Sequence, residues 1–370
     1  MPLPNLNLPS GSTCSVKVIE NGSKLGNLAT KIAAGPSIPG FDILPNLPSY
    51  SFLIEGPKGR KILFDLGMRP DWRNLAPIVV NRISTQGWDL TADKHIATIL
   101  QENGQDLNEI EAIILRCTYK FKAKMYLLQS HWHWDHIGCH STFPASTALV
   151  VGPGFKEALL PGYPERGDSP ILKSDYDGRN LIEIDFADQS SLKIGRLNAH
   201  DYFGDGSFYI LDAPGHTIGH LCALARTTSS PDTFIFLPAD AIHHGGELRP
   251  SEYLPIPESI FPHPVSSHAS PYCPGHILDD LQESRGRKPG EPFLVPLGGY
   301  DVADLVRTIE KVQEADCHEN IFVIFAHDDN MKDVIEFFPR DINQWKDKGL
   351  GQTARWKFLK DFAEALNLRS

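Results

Sequence analysis

The chain has 370 residues, a formal net charge of −11, 41% apolar residues and 22% charged ones. That length admits two average domains or one large domain with insertions, and the composition is that of a soluble globular protein able to bury a full core. The acidic balance and the lack of a basic run argue against nucleic acid and anionic membranes as partners, which leaves a small-molecule substrate as the expected one and the oligomeric state unknown.

The amino terminus, MPLPNLNLPSGSTC, has no basic segment leading into an apolar one, and no stretch reaches the roughly 18 apolar residues of a membrane span, so a cytoplasmic location is expected. Cys14, Cys117, Cys139, Cys222, Cys273 and Cys317 stand without C-x-x-C pairs, which predicts reduced, structural thiols. CSVKVIENG (14–22) alternates before an Asn-Gly, and SYSFLIEGPKGRKILFDLG (49–67) reads as two strands around a Gly-Pro-Lys-Gly turn, a hairpin opening an antiparallel sheet. A helical period follows in ADKHIATILQENG (92–104), ending at a glycine, and then a short apolar strand, IEAIIL (110–115).

A stretch of fourteen residues, basic and unlike its surroundings, comes next, RCTYKFKAKMYLLQ (116–129), and then SHWHWDHIGCH (130–140). Farther on, SFYILDAPGHTIGH (207–220), DTFIFLPAD (232–240) and NIFVIFAHDD (320–329) share one shape, a short strand running into a loop that carries His or Asp. Between the last two, ten prolines from Pro250 to Pro296 and little periodicity predict a long surface excursion at about 250–298, either an ordered lid-like insertion or a disordered one. Helices are predicted over 302–315 and 353–366, the latter with Trp356, Phe358, Leu359 and Phe362 as an apolar packing stripe.

His131, His133, Asp135 and His136 form the pattern H-x-H-x-D-H. Imidazole and carboxylate suit Zn²⁺, and alternate positions of an extended chain face one way. His131 and His133 can therefore grip one ion while Asp135 and His136 turn toward a second. A lone histidine is more often a satisfied core or surface residue, but four ligand types within six positions are not explained that way.

These motifs resemble the metallo-β-lactamase superfamily of zinc hydrolases. Asp65 and Gly67 in LFDLG, Pro214 to His220 in PGHTIGH, Asp240 in FLPAD and His327 in IFAHD follow that family's order over about residues 14 to 330. The resemblance implies an α/β fold, a four-layer αββα sandwich, as a single domain over 1–370 with insertions at 116–129 and about 250–298. It also implies two Zn²⁺ per chain, with His131, His133 and His216 on the first, Asp135, His136 and His327 on the second, and Asp240 bridging. Asp65 would orient the loop, and His220 would be a structural hydrogen-bonding residue rather than a ligand.

Two adjacent cations make a shared water acidic enough to attack a carbonyl as hydroxide, and Asp135 or a nearby histidine can protonate the leaving group. The ligand set looks like the lactonase and glyoxalase side of the family. Where lactonases similar to acyl-homoserine lactone hydrolases carry a Tyr three residues past the bridging Asp, this chain has His243, followed by His244. A histidine donor shifts weight toward a lactam or carbamate ring, whose amine leaving group needs a proton; the alternative is a solvated histidine pair. SFLIEGPKGRKILFDLGMRPDW, SHWHWDHIG and IFAHDD together resemble fungal γ-lactamase-like hydrolases that open benzoxazolinone rings. Trp132, Trp134, Tyr253 and Phe261 would form an aromatic lid over such a ring or serve as packing. A glyoxalase-type thioesterase stays open, as does a metal-poor, inactive binding protein if 116–129 displaces the metal loop. That stretch is either a true insertion or a translated intron, and a peptide spanning it from the natural source would decide.

Overall fold

The computed structural model describes residues 2–115, 134–186, 192–265 and 270–367. The 116–129 insertion, Trp132 and the candidate ligands His131 and His133 lie outside the described residues. Two six-stranded sheets dominate. The first runs, in spatial order, Ser15–Ile19, Ser51–Glu55, Lys61–Phe64, Ile110–Leu115, Ala148–Val151 and Leu181–Glu183. Its first three strands are antiparallel, which bears out the hairpin around the Gly-Pro-Lys-Gly turn, and the rest pair in parallel. The second runs Lys193–Ile194, Leu197–Asp201, Phe208–Asp212, Leu221–Ser229 and Asp232–Leu237, all antiparallel, and ends on Ile321–Val323 in parallel.

Strand side chains alternate between faces, and here both faces are apolar, so each sheet must be covered twice. Phe52, Ile54, Ile62, Phe64, Ala112 and Ile114 from the first sheet pack between the sheets against Phe208, Ile210, Ala223, Ala225 and Ile235 from the second. The alternate residues Leu53, Leu63, Ile113 and Leu149 meet Val79 and Ile83 of the helix Pro77–Ser84 and Leu100 of the helix Ile96–Glu102. On the far side, Leu211, Leu224, Phe234 and Phe236 meet Leu305, Ile309 and Val312 of the helix Val302–Asp316, whose first turn is capped by Asp301. The result is the four-layer αββα sandwich of the metallo-β-lactamase fold.

Two elements differ from the sequence expectation. The carboxy-terminal helix predicted over 353–366 is an α-helix at Leu350–Arg355 followed by a 3-10 helix at Lys357–Phe362. Trp356, two residues ahead of Phe358, falls off the face that Phe358, Leu359 and Phe362 share, and the chain changes from α to 3-10 winding between Arg355 and Lys357; the apolar residues do serve as core. The proline-rich stretch is not an aperiodic surface excursion where it is described. It contains the helix Ile277–Ser284 and the strand Val295–Pro296, and Ile260, Tyr272, Leu278, Phe293 and Leu294 join the core under the first sheet. Cys14, Cys139, Cys222, Cys273 and Cys317 are free thiols, and burial pushes Cys14 up to about 12. No helix among the described residues is long and apolar enough to cross a membrane.

Candidate metal centre

Five loops converge where strands of the two sheets end. The strand Lys61–Phe64 delivers Asp65, whose φ of 73° bends the chain sharply into Leu66 and Gly67. A short helix at Trp134–Ile137 carries Asp135 and His136, and it is laced to the Asp65 loop by Leu66 N–H donating to the His136 carbonyl and Gly138 N–H to that of Gly67. His216 follows the strand Phe208–Asp212. Its predecessor Gly215 has a φ of 120°, and a Cβ there would fall 2.1 Å from the Leu305 nitrogen, so only glycine lets helix and loop approach. Asp240 and His243 follow the strand Asp232–Leu237, and His327 follows Ile321–Val323. All seven side chains, Asp65, Asp135, His136, His216, Asp240, His243 and His327, are at most 7% exposed.

Asp240 sits at the junction. Its Oδ2 lies 2.8 Å from His136 Nε2 and 3.6 Å from His216 Nε2, and its Oδ1 lies 3.1 Å from His327 Nε2. Asp135 Oδ2 stands 3.3 Å from His136 Nε2 and 3.7 Å from His327 Nε2. Asp135, His136 and His327 thus bring ligand atoms within 4.8 Å of one another, and so do His216, Asp240 and His243. The sequence pairs His216 with His131 and His133; of those three the described residues contain His216.

Tautomers show what this arrangement lacks. His136 Nδ1 donates to Asp65 Oδ2 at 2.7 Å, and His327 Nδ1 donates to the Pro48 carbonyl at 2.6 Å, an oxygen that can only accept. In each ring Nε2 is then the nitrogen that faces the carboxylate oxygens of Asp135 and Asp240. A cation placed between these buried donors would be coordinated by imidazole nitrogens and carboxylate oxygens together, Asp135 included. The donor set of imidazole nitrogens and carboxylate oxygens is the one Zn²⁺ accepts, with Asp65 and Pro48 as the orienting groups that metal-bound histidines need. Burial alone would raise the Asp135 carboxyl, but the adjacent His136 and His327 hold it well below the usual range.

His243 and His244 are buried, not a solvated pair, at 7% and 4% exposure. The His243 ring stacks on His327 at 5.6 Å and 13° and stands 4.9 Å from His216. His244 turns the other way, into Phe41, Phe358 and Phe362. His220 donates through Nδ1 to the Ala213 carbonyl at 2.9 Å and packs on His216. The aromatic lid does not form from the described residues: Trp134 is 1% exposed in the core, Tyr253 lies near Glu252 and Glu314, and Phe261 projects outward. Sequence reasoning missed Pro48, whose backbone oxygen leaves no residue signature. It also missed Glu247, although an acidic residue four positions past His243 is legible as a helix-capping signal.

No protein-family model matches the chain. Among known proteins it is 39% identical over 371 residues to the γ-lactamase FDB1 of Fusarium pseudograminearum, covering 98% of this chain and 86% of that one. It is 40% identical over 369 residues to the metallo-hydrolase mfmC of Annulohypoxylon moriforme, covering 99% and 92%. A 41% match to the cytochrome P450 monooxygenase mpaDE of Penicillium roqueforti takes in 98% of this chain but 39% of that larger protein. Among solved structures, a B. thuringiensis AiiA variant with N-decanoyl-L-homoserine at its active site shares the fold at a TM-score of 0.56 and 17% identity, over 90% of this chain and all (100%) of that one. An N-acyl homoserine lactone hydrolase with N-hexanoyl-L-homoserine at its catalytic metal center does so at 0.55 and 18%, with the same coverage of 90% and 100%.

Proposed function

Because the chain belongs to the metallo-β-lactamase superfamily, in the group of fungal hydrolases that includes FDB1 and mfmC, we propose that it opens a cyclic amide, carbamate or ester. A γ-lactam or lactone is the substrate class, with a benzoxazolinone-type ring as the first member to try. Two zinc ions would serve the reaction, with His131, His133 and His216 as the residues that would hold one, Asp135, His136 and His327 those that would hold the other, and Asp240 available to both. The observation that carries this reading is the junction at Asp240, where both carboxylate oxygens face imidazole nitrogens whose opposite ring nitrogens are held by Asp65 and Pro48.

When bound, the ions supply Lewis acidity and make water a nucleophile at neutral pH. The chain supplies the rest. Asp65 and Pro48 hold two imidazoles in a single orientation, so no reorganisation is needed as charge develops. Burial of the whole cluster excludes bulk water and strengthens each electrostatic contact. His243, on the face of His327 and His216, presents an imidazole that can hydrogen-bond the ring carbonyl or give a proton to the departing amine. Asp135 is the other group able to carry that proton.

Elemental analysis of the purified protein and of Asp240→Ala tests the assignment, together with a panel of benzoxazolinone, simple γ-lactams, lactones and a thioester. About two zinc per chain, falling in the variant with loss of ring opening, is expected. Metal well below one per chain, or turnover of the thioester alone, would overturn it.

A further inference from the structure

We propose that Glu247 is a positioning residue for ring opening, holding the His243 imidazole against the metal centre; this rests on the reading of His243 above. The segment His243-His244-Gly245-Gly246-Glu247 is a tight entry into the short helix Gly245–Leu248. Glu247 Oε2 accepts the N–H of His243 at 2.6 Å and that of His244 at 3.2 Å, while His244 Nδ1 accepts Gly246 N–H at 3.0 Å. This is a capping box with histidine in the place Ser, Thr or Asp usually fills.

The two consecutive histidines are thereby sent apart. His244 is held on one side by Asp361 at 3.2 Å and by three phenylalanine rings, leaving His243 to face His216 and His327. Gly245 cannot be replaced without moving the turn, since a Cβ there would fall 2.6 Å from the Phe358 ring.

Capping alone does not account for Glu247. It is 1% exposed, and its Oε1 receives no hydrogen bond among the described residues, a costly arrangement for a carboxyl group whose capping work a smaller residue could do. What the long side chain adds is proximity: Oε2 stands 3.9 Å from His243 Nδ1. That is too long for a hydrogen bond, but catalytic contacts of this kind tighten when substrate arrives. A carboxyl behind one ring nitrogen fixes the ring and directs the other nitrogen forward, the arrangement by which acidic residues orient catalytic histidines.

The test compares metal-loaded wild type, Glu247→Ala, Glu247→Gln, His243→Ala and the double variant Glu247→Ala/His243→Ala on benzoxazolinone and a γ-lactone, with zinc content measured for each. Glu247→Ala is expected to lower kcat about 100-fold with KM and zinc unchanged, the size of loss a misplaced catalytic group produces. Glu247→Gln, which keeps an acceptor oxygen, recovers more than half of that loss on a logarithmic scale. In the His243→Ala background Glu247→Ala costs nothing beyond about twofold, because the group it acts through is gone. Equal losses in both backgrounds, or full kcat in Glu247→Ala beside a slow His243→Ala, would overturn the role of Glu247 alone. Wild-type kcat in His243→Ala would overturn the reading of His243 and this proposal with it. Should Glu247→Ala lose its zinc, Glu247→Asp carries the same comparison, since it keeps the charge and shortens the reach.

Discussion

At the residue scale the centre turns on two pairs, His136 with Asp65 and His327 with Pro48, each imidazole with one nitrogen spent on an orienting acceptor and the other turned inward. Asp65 does this for His136 while its second oxygen accepts Gly67 N–H at 2.9 Å, so one carboxylate fixes both a ring and the turn that carries it. Asp65→Asn keeps the size but replaces an acceptor with an amide that can present hydrogens to His136 Nδ1. The expected result is zinc affinity weaker by about 10 to 100-fold in a chelator competition, with the fold retained. Of these residues, Asp135, His136, His216, Asp240 and His327 were legible because ligand chemistry restricts residue type. Pro48 was not, because a carbonyl oxygen belongs to every residue, and only the folded chain reveals which one faces a histidine.

At the element scale, the turn Gly245–Leu248 stores electrostatic cost in its cap. Burial pushes the Glu247 carboxyl up to about 7 from 4.5, against the pull of the two backbone N–H groups. Below pH 4.5 the group is protonated folded or unfolded and costs nothing. As pH rises from there to about 7 the unfolded chain ionises and the folded one resists, so stability falls by of order 3 kcal/mol in total. In metal-free protein, Glu247→Gln should remove that fall, making the variant the more stable of the two at about pH 8 but not at about pH 4, as read by denaturant titration. Just past the same turn, Arg249 reaches Asp316 through two hydrogen bonds of 2.7 and 2.6 Å, both residues being buried, and so pins the segment to the end of the helix Val302–Asp316. Asp316→Ala leaves a buried guanidinium uncompensated and should cost about 3 to 5 kcal/mol. Strands such as Ile110–Leu115 were legible to the residue, because a continuous apolar run bounded by polar turns admits few other structures. The carboxy-terminal helices were less so, since packing against Phe41 and Phe293, remote in sequence, decides how tightly Lys357–Phe362 winds.

At the scale of the whole molecule, each sheet contributes ligand-type residues that the other completes: Asp65, Asp135 and His136 come from one, His216, Asp240 and His327 from the other. A metal pair would therefore staple the two halves of the sandwich, and its removal should loosen the entire fold rather than one loop. Chelation is expected to lower Tm by about 5 °C or more, with recovery on adding zinc and a smaller shift in Asp240→Ala. Individual strands were legible as short apolar runs, whereas their arrangement in four layers followed from the resemblance carried by the His and Asp motifs. The packed course of residues 270–296 was not legible, since its buried residues are scattered among prolines with no period to betray them.

The Pro48 carbonyl also sets how the centre ages under mutation. Asp65 can be lost through a single codon change, whereas no codon change can delete a backbone oxygen; only displacement of the loop can move it from His327. Substitution at the orienting position can thus free the His136 ring directly, while the His327 ring, for as long as that residue is histidine, is released only by moving the Pro48 loop.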